Sequence, residues 1–219
     1  MDQKEFLTSV QELRKEKKRN FAQTVDLQIL LKNLDIKKQE AKIDLFVSLP
    51  NPRGRKITVC GLVGGSLQND AKEFCDHVIL QDDFKGFAND KKALKKLARA
   101  YDFFIAQADI MPAVATTFGR YLGPAGKMPN PKAGAIVPPR GTTKPIVEKL
   151  QNLIRVSVKN DPTLKCPVGK EDMKDEEIAA NALAVYTAVV NALPQHEQNI
   201  RQVILKFTMS QAVAVGGKK

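Results

Sequence analysis

KITVCGLVG, residues 56–64, is a nearly continuous apolar run that breaks the pattern of everything before it. A strand covered on both faces reads this way. Upstream, TVDLQILLK (24–32) and KIDLFVSLP (42–50) alternate instead, with Val25, Leu27, Ile29 and Leu31 on one side and Ile43, Leu45, Val47 and Leu49 on the other strand's equivalent side. Such alternation marks half-buried strands, and NPRGR (51–55) is a turn by composition. Before them, Phe6, Leu7, Val10 and Leu13 have helical spacing, with Lys and Arg crowding the last turn.

Downstream of the run, SLQNDAKEFCD (66–76) suits a short helix, HVILQ (77–81) a strand, NDKKALKKLARAY (89–101) a helix and DFFIAQ (102–107) a third strand. DIMPAVATTFGRYLG (109–123) then offers Asp109 as an N-cap for a further helix. Strand and helix in alternation argue for βαβ units and a small parallel sheet. From IVEKLQNLI (146–154) the chain returns to the alternating character of its beginning. IRVSVKN and LKCPVGK are extended, Asp175 opens the longest helix, RQVILKFTM (201–209) alternates, and AVAVGGKK (212–219) is expected to fray.

The expected fold class is therefore α+β in two domains. Residues 1–60 and 156–219 form a discontinuous, antiparallel-sheet domain of split β-α-β character. Residues 61–155 form an inserted Rossmann-like α/β domain, with a hinge where the chain crosses near 57–66 and 154–158.

Thirty-five Lys and Arg against 24 Asp and Glu give a net charge of +11, which speaks to partners rather than to fold. Nucleic acid leads, an anionic membrane surface follows. No span approaches the ~20 uninterrupted apolar residues of a membrane helix. The polar N-terminal stretch shows no signal-peptide pattern, so a cytoplasmic protein is expected. Cys60, Cys75 and Cys166 form no CxxC pair and the two histidines, His77 and His196, are far apart. A zinc site or disulfide framework is poorly supported, and neither histidine neighbours a nucleophile motif. No metal and no cofactor are expected.

Two glycine-rich stretches invite a phosphate. GRYLGPAGKMPNPKAGAIVPP (119–139) contains Gly126–Lys127, but a Walker loop needs glycine where Tyr121 stands and a hydroxyl where Met128 stands. GLVGGS (61–66) lacks the G-x-G-x-x-G order and is explained by tight turning at a strand end. What remains is nucleic-acid binding. Cations at Lys15, Lys17, Lys18 and Arg19 precede Phe21, and Arg155, Lys159, Lys165 and Lys206 flank strands of the same domain. A sheet face mixing cations, hydroxyls and an aromatic suits phosphates, 2′-hydroxyls and unstacked bases; solvated strand edges protected by lysine are the competing reading. The 119–144 stretch carries Arg120, Lys127, Lys132 and Arg140 and no acid.

GRYLGPAGKMPNPKAG resembles the signature of the L1 family of large-subunit ribosomal proteins, G-R-x-L-G-P-x-G-x-M-P-N-P-K-x-G. NFAQTVDL (20–27) is similar to that family's F-x-x-T-V-[DE] strand, KNDPTLKCPVGK (159–170) to its N-D-x-T…P-V-G-K, and KFTM (206–209) to its terminal T-M-G stretch. The lysine-rich, short-tailed chain looks archaeal in type. The resemblance implies a non-enzymatic ribosomal protein that binds the mobile rRNA stalk near the tRNA exit site. By the same resemblance, Phe21, Thr24, Thr208, Met209 and the following residue form the central RNA patch, beside Lys159, Lys165 and Lys206. This chain has Ser210 where the family commonly has Gly. Arg120, Lys127, Met128, Asn130 and Lys132 would form a secondary loop facing rRNA or exit-site tRNA. The resemblance further implies repression of the protein's own messenger through an operator that mimics the rRNA site. A monomer is expected away from the ribosome.

Overall fold

The computed structural model describes residues 1–16, 19–34, 43–139, 141–158 and 161–216, with backbone only at 88 and 89. Lys17, Lys18, Arg140 and Lys159 lie outside the described residues. The fold is mixed α/β, with antiparallel and parallel sheets, and divides into two compact units: Met1–Arg55 with Asn152–Lys219, and Lys56–Gln151. Sequence patterning places the junctions at 60/61 and 155/156, inside two strands; this division places them ahead of both strands.

In the first unit, α1 (Gln3–Arg14) starts where the Asp2 amide donates to Glu5 Oε2 at 2.9 Å. It buries Phe6, Val10 and Leu13. Strand β1 (Thr24–Leu31) runs antiparallel between β8 (Thr163–Lys170) and β9 (Ile200–Phe207), and β10 (Val213–Ala214) adds to the outer side of β9. Its alternation has the expected result: Val25, Leu27, Ile29 and Leu31 are buried and the intervening residues are half-buried. Within the tail expected to fray, Val213 and Ala214 instead form β10, next to a buried Val215 whose amide donates to Val203 O at 2.9 Å, while 217–219 lie outside the described residues. Pro167 sits in β8, an edge strand, where a bulge between Val25 and Asp26 absorbs its missing donor. Helix α7 (Asp175–Ala192) opens with three acids suited to its N-terminus and packs with α1 on the buried face. Asn181 is fully buried in α7 and is satisfied by Val168 O, Asn51 O and Asn51 N. Strands β2 (Asp44–Ser48) and β7 (Leu153–Ser157) form a separate antiparallel pair.

In the second unit, β3 (Val59–Val63), buried at every position, lies between β4 (His77–Leu80) and β5 (Phe103–Gln107), with β6 (Ile136–Val137) at the far edge. All pairings are parallel. Helices α2 (Gln68–Phe74), α3 (Phe84–Asn89), α4 (Lys91–Ala100), α5 (Met111–Ala125) and α6 (Lys144–Gln151) complete it. The core under α3, α4 and α5 includes Leu62, Phe104, Phe118 and Leu122, with Phe84 edge-on to Phe118 at 5.1 Å. Asp109 does not cap α5: it lies in a 3-10 turn (Ala108–Ile110), and Ile110 is the residue before the helix. The helix takes in Gly119–Gly123, as the pattern of 109–123 expects, and runs two residues further into the glycine- and proline-rich stretch, to Ala125. Val114, Phe118 and Leu122 form the apolar stripe that holds it there.

Candidate nucleic-acid interface

The exposed end of β1 is tied to the exit from β9. Thr208 N donates to Thr24 O at 3.1 Å, and Thr24 N donates back to Thr208 Oγ1 at 3.3 Å. The Thr208 hydroxyl donates to Thr24 O at 3.4 Å, long for an O–H···O bond. Next to it, Met209 N donates to Gln23 Oε1 at 3.1 Å. Gln23 is buried and joins three segments, because its carbonyl accepts from Glu171 N at 2.8 Å and its own amide donates to Glu171 Oε2 at 3.2 Å. Nothing in the sequence singles out Gln23; only the pairing of β1 with β8 and β9 gives it this role.

Ser210 closes the turn after β9. Its Oγ accepts from Phe207 N at 2.8 Å and donates to Gln211 O at 2.8 Å. Its φ is not positive, so nothing in the backbone requires glycine there. The turn leaves Phe21 48% and Met209 59% exposed, the two most exposed large apolar side chains among the described residues. Burial drives such groups inward, so two of them held outside beside a rigid hydrogen-bonded edge mark a surface built to be covered.

The cations are arranged around this edge unevenly. Lys206 is paired in register with Asp26, and Lys170 with Thr24 itself. Lys165 stands opposite Gln28, four residues along β1 from Thr24 and so roughly 13 Å away. Lys170 is thus closer to the central patch than Lys165; its place in the PVGK motif is the sequence signal for it. The Asp26 carboxyl is pushed above its ordinary range by burial, which outweighs the attraction of Lys206. Arg14, Arg19, Asn20 and Phe21 line a shallow groove with Glu171 and Asp172. Arg14 is committed to Asp175 and Met173 O.

The second group of candidate residues divides differently. Lys127 Nζ donates to Ala98 O at 2.9 Å and to Tyr101 O at 2.7 Å. It therefore caps the C-terminal end of α4, where a cation also suits the helix dipole. Met128 packs on the core beneath α4 and α5. Asn130 Oδ1 accepts from Lys132 N at 2.9 Å and opens a 3-10 turn (Pro131–Ala133). Gly126 and Gly134 both have φ near +71°, which explains two of the glycines in the stretch. Arg120 and Lys132 alone of the five are exposed.

The two histidines fall in different units: His77 lies in the second and His196, with its Nδ1 3.0 Å from Val190 O, in the first. Burial pushes the Cys75 thiol up to about 11 and Cys166 to about 12, and Cys60 higher still. Among the described residues no group of His, Cys, Asp and Glu could hold a metal ion, and no helix is long and apolar enough to cross a membrane.

Residues 13–211 match the sequence profile of the family described as Ribosomal protein L1p/L10e. The chain is 39% identical over 216 residues to the Large ribosomal subunit protein uL1 of Thermococcus kodakarensis, covering 98% of both chains. It is 43% identical over 210 residues to the protein of that name from Nanoarchaeum equitans, covering 94% of this chain and 97% of the relative. For the Archaeoglobus fulgidus protein of that name the figures are 36% over 217 residues, with 98% and 99% covered.

Proposed function

The chain belongs to the ribosomal protein L1 family, of archaeal type, and on that premise we propose that it is a structural constituent of the large ribosomal subunit that grips the mobile rRNA stalk beside the tRNA exit site. It is a ribosomal protein of the cytoplasm and not an enzyme. In this reading the first unit is the main RNA-binding domain, and the second is a Rossmann-like insert that faces exit-site tRNA or rRNA. One observation carries the stalk reading: Phe21 and Met209 stand exposed beside Thr24 and Thr208, whose backbones are locked together. A rigid edge with hydroxyls and an exposed ring can stack an unpaired base and meet ribose 2′-hydroxyls, the features by which RNA is read. Lys170 and Lys206 supply charge for the flanking phosphates.

The same edge serves the messenger. An operator in the protein's own transcript that folds like the stalk site would occupy Thr24, Thr208 and Met209 in the same way, so rRNA and messenger compete and excess protein represses its own translation. The free protein is monomeric in this scheme. Binding of the purified full chain to a stalk rRNA fragment and to an unrelated duplex, compared at ~0.2 M salt, tests the reading, because sequence-independent attraction is weak there. Preference for the stalk by roughly a thousandfold is expected. Equal binding of the two RNAs would sink the stalk reading, and failure of a transcript leader to displace the stalk fragment would sink repression.

A further inference from the structure

Helix α4 has the sequence KKALKKLARA: five of its ten residues are Lys or Arg and none is acidic. Leu94, Leu97 and Ala98 turn into the core, leaving Lys91, Lys92, Lys95, Lys96 and Arg99 all exposed. Lys91, Lys95 and Arg99 form one line along the helix and Lys92 and Lys96 another. Each four-residue step advances roughly 6 Å. Like charges four apart weaken a helix, so this arrangement is unfavourable unless an anion meets it.

The nearby acid gives no relief. Asp90 is committed to the helix start, where its Oδ1 accepts from Lys92 N at 2.9 Å and Ala93 N at 3.0 Å. No salt bridge is found for the five cations among the described residues. The C-terminal end is pinned by Lys127, so the stripe is presented on a helix fixed at both ends. Beyond that end, Tyr101 stacks on the exposed His77 with ring centroids 5.6 Å apart and planes within 5°. Such a flat, part-exposed pair can take an unstacked base.

We propose that the exposed face of α4 is a second RNA-contacting surface, which binds phosphates through its cation stripe without reading sequence. The face carries no large apolar side chain, so it lacks the anchor that a protein interface is built around. The helix's apolar face is spent on the core of its own unit and cannot enter a bilayer. A polyanion with regularly spaced phosphates fits, and tRNA and duplex rRNA share that chemistry. This surface is independent of the Thr24–Thr208 edge and stands or falls without it.

The test uses the full chain with the four substitutions Lys91→Gln, Lys92→Gln, Lys95→Gln and Lys96→Gln. Its affinity for deacylated tRNA and for a duplex rRNA hairpin unlike the stalk is measured from about 0.05 to 0.3 M salt. The slope of log K against log salt should fall by about 3, close to one phosphate lost per lysine removed. Arginine at the same four positions should restore the slope, and a thermal melt of each variant shows that the fold persists. Loss on both RNAs supports phosphate binding in general; loss on tRNA alone supports it with tRNA as the source of the phosphates, and loss on the hairpin alone does so with rRNA as the source. Slopes unchanged on both, in a variant that melts like the parent, overturn the proposal. Thr208→Ala, which belongs to the other surface, should leave both slopes where they are.

Discussion

The edge around Gln23 and Thr208 and the segment 126–134 hold similar residues, yet the molecule uses them in opposite ways. At the edge, Met209 is pushed outside while the buried Gln23 side chain holds its backbone from beneath. In the segment, Met128 packs inward and Lys127 spends its ammonium on the carbonyls of Ala98 and Tyr101. A short, distinctive motif can therefore record the needs of a ligand or the needs of the fold. What separates the two is where the apolar side chain and the cation end up: Met209 stands exposed in one case, while Met128 and Lys127 are spent on the fold in the other.

Breaking the inward side of this comparison should have the largest effect. Lys127→Met removes two charge-assisted bonds to helix-end carbonyls, each of which is left without that donor. A loss of about 2 kcal/mol is expected, seen as a melting temperature lower by roughly 6 °C. Stalk affinity should not change. An unchanged melting temperature together with weaker stalk binding would place Lys127 in the interface instead.

On the outward side the effects should exchange. Phe21→Ala should weaken stalk binding by about 2 kcal/mol through lost stacking, and Thr208→Ala by about 1 kcal/mol through a lost hydrogen bond, as measured by filter binding. Both residues are exposed, so thermal melts should hardly move. A large fall in stability without loss of affinity would make them residues of the fold.

Ser210→Gly tests the turn between the two roles. It deletes the acceptor for Phe207 N and the donor to Gln211 O, which should cost about 1 kcal/mol and lower the melting temperature by a few degrees. A higher melting temperature would show the side chain to be a burden on the turn.

The smallest change is expected from Asp26→Asn. Burial raises the Asp26 carboxyl, so the folded chain holds that proton more tightly than the unfolded chain does. The contribution to stability is full below the ordinary carboxylate range and is lost as pH rises through the raised value. The asparagine variant should melt slightly higher than the parent at pH 7, and the difference should disappear below about pH 4. A lower melting temperature at pH 7 would mean that the attraction of Lys206 outweighs burial.

Strand periodicity made much of the fold legible. The alternation of TVDLQILLK fixes the buried face of β1, and the unbroken run at Val59–Val63 corresponds to a strand buried at every position. The misreadings have physical causes. The helix expected to end at Gly123 runs to Ala125, because the stripe of Val114, Phe118 and Leu122 holds it on the core, and Pro124 falls in its last turn. The tail at 213–215 is too short to show periodicity and is ordered only because β9 offers it a free edge. Of the site, Phe21, Thr24, Thr208 and Met209 were visible as motif residues. Lys170 was visible only as the end of the PVGK motif and Gln23 not at all, because their roles depend on register between segments nearly 150 residues apart.

The strand order β10-β9-β1-β8 also has a consequence for the timing of synthesis. Strand β1 is among the first segments to leave the peptidyl-transferase centre, yet both of its neighbours come from the last third of the chain. The Lys56–Gln151 unit is contiguous, and the Gln151 side chain closes it by bonding both the amide and the carbonyl of Ile57, at 2.9 and 3.0 Å. It can complete its fold during translation. The Thr24–Thr208 edge spans 184 positions and cannot exist until β9 has emerged. A truncated or stalled chain consequently presents a finished insert and no such edge.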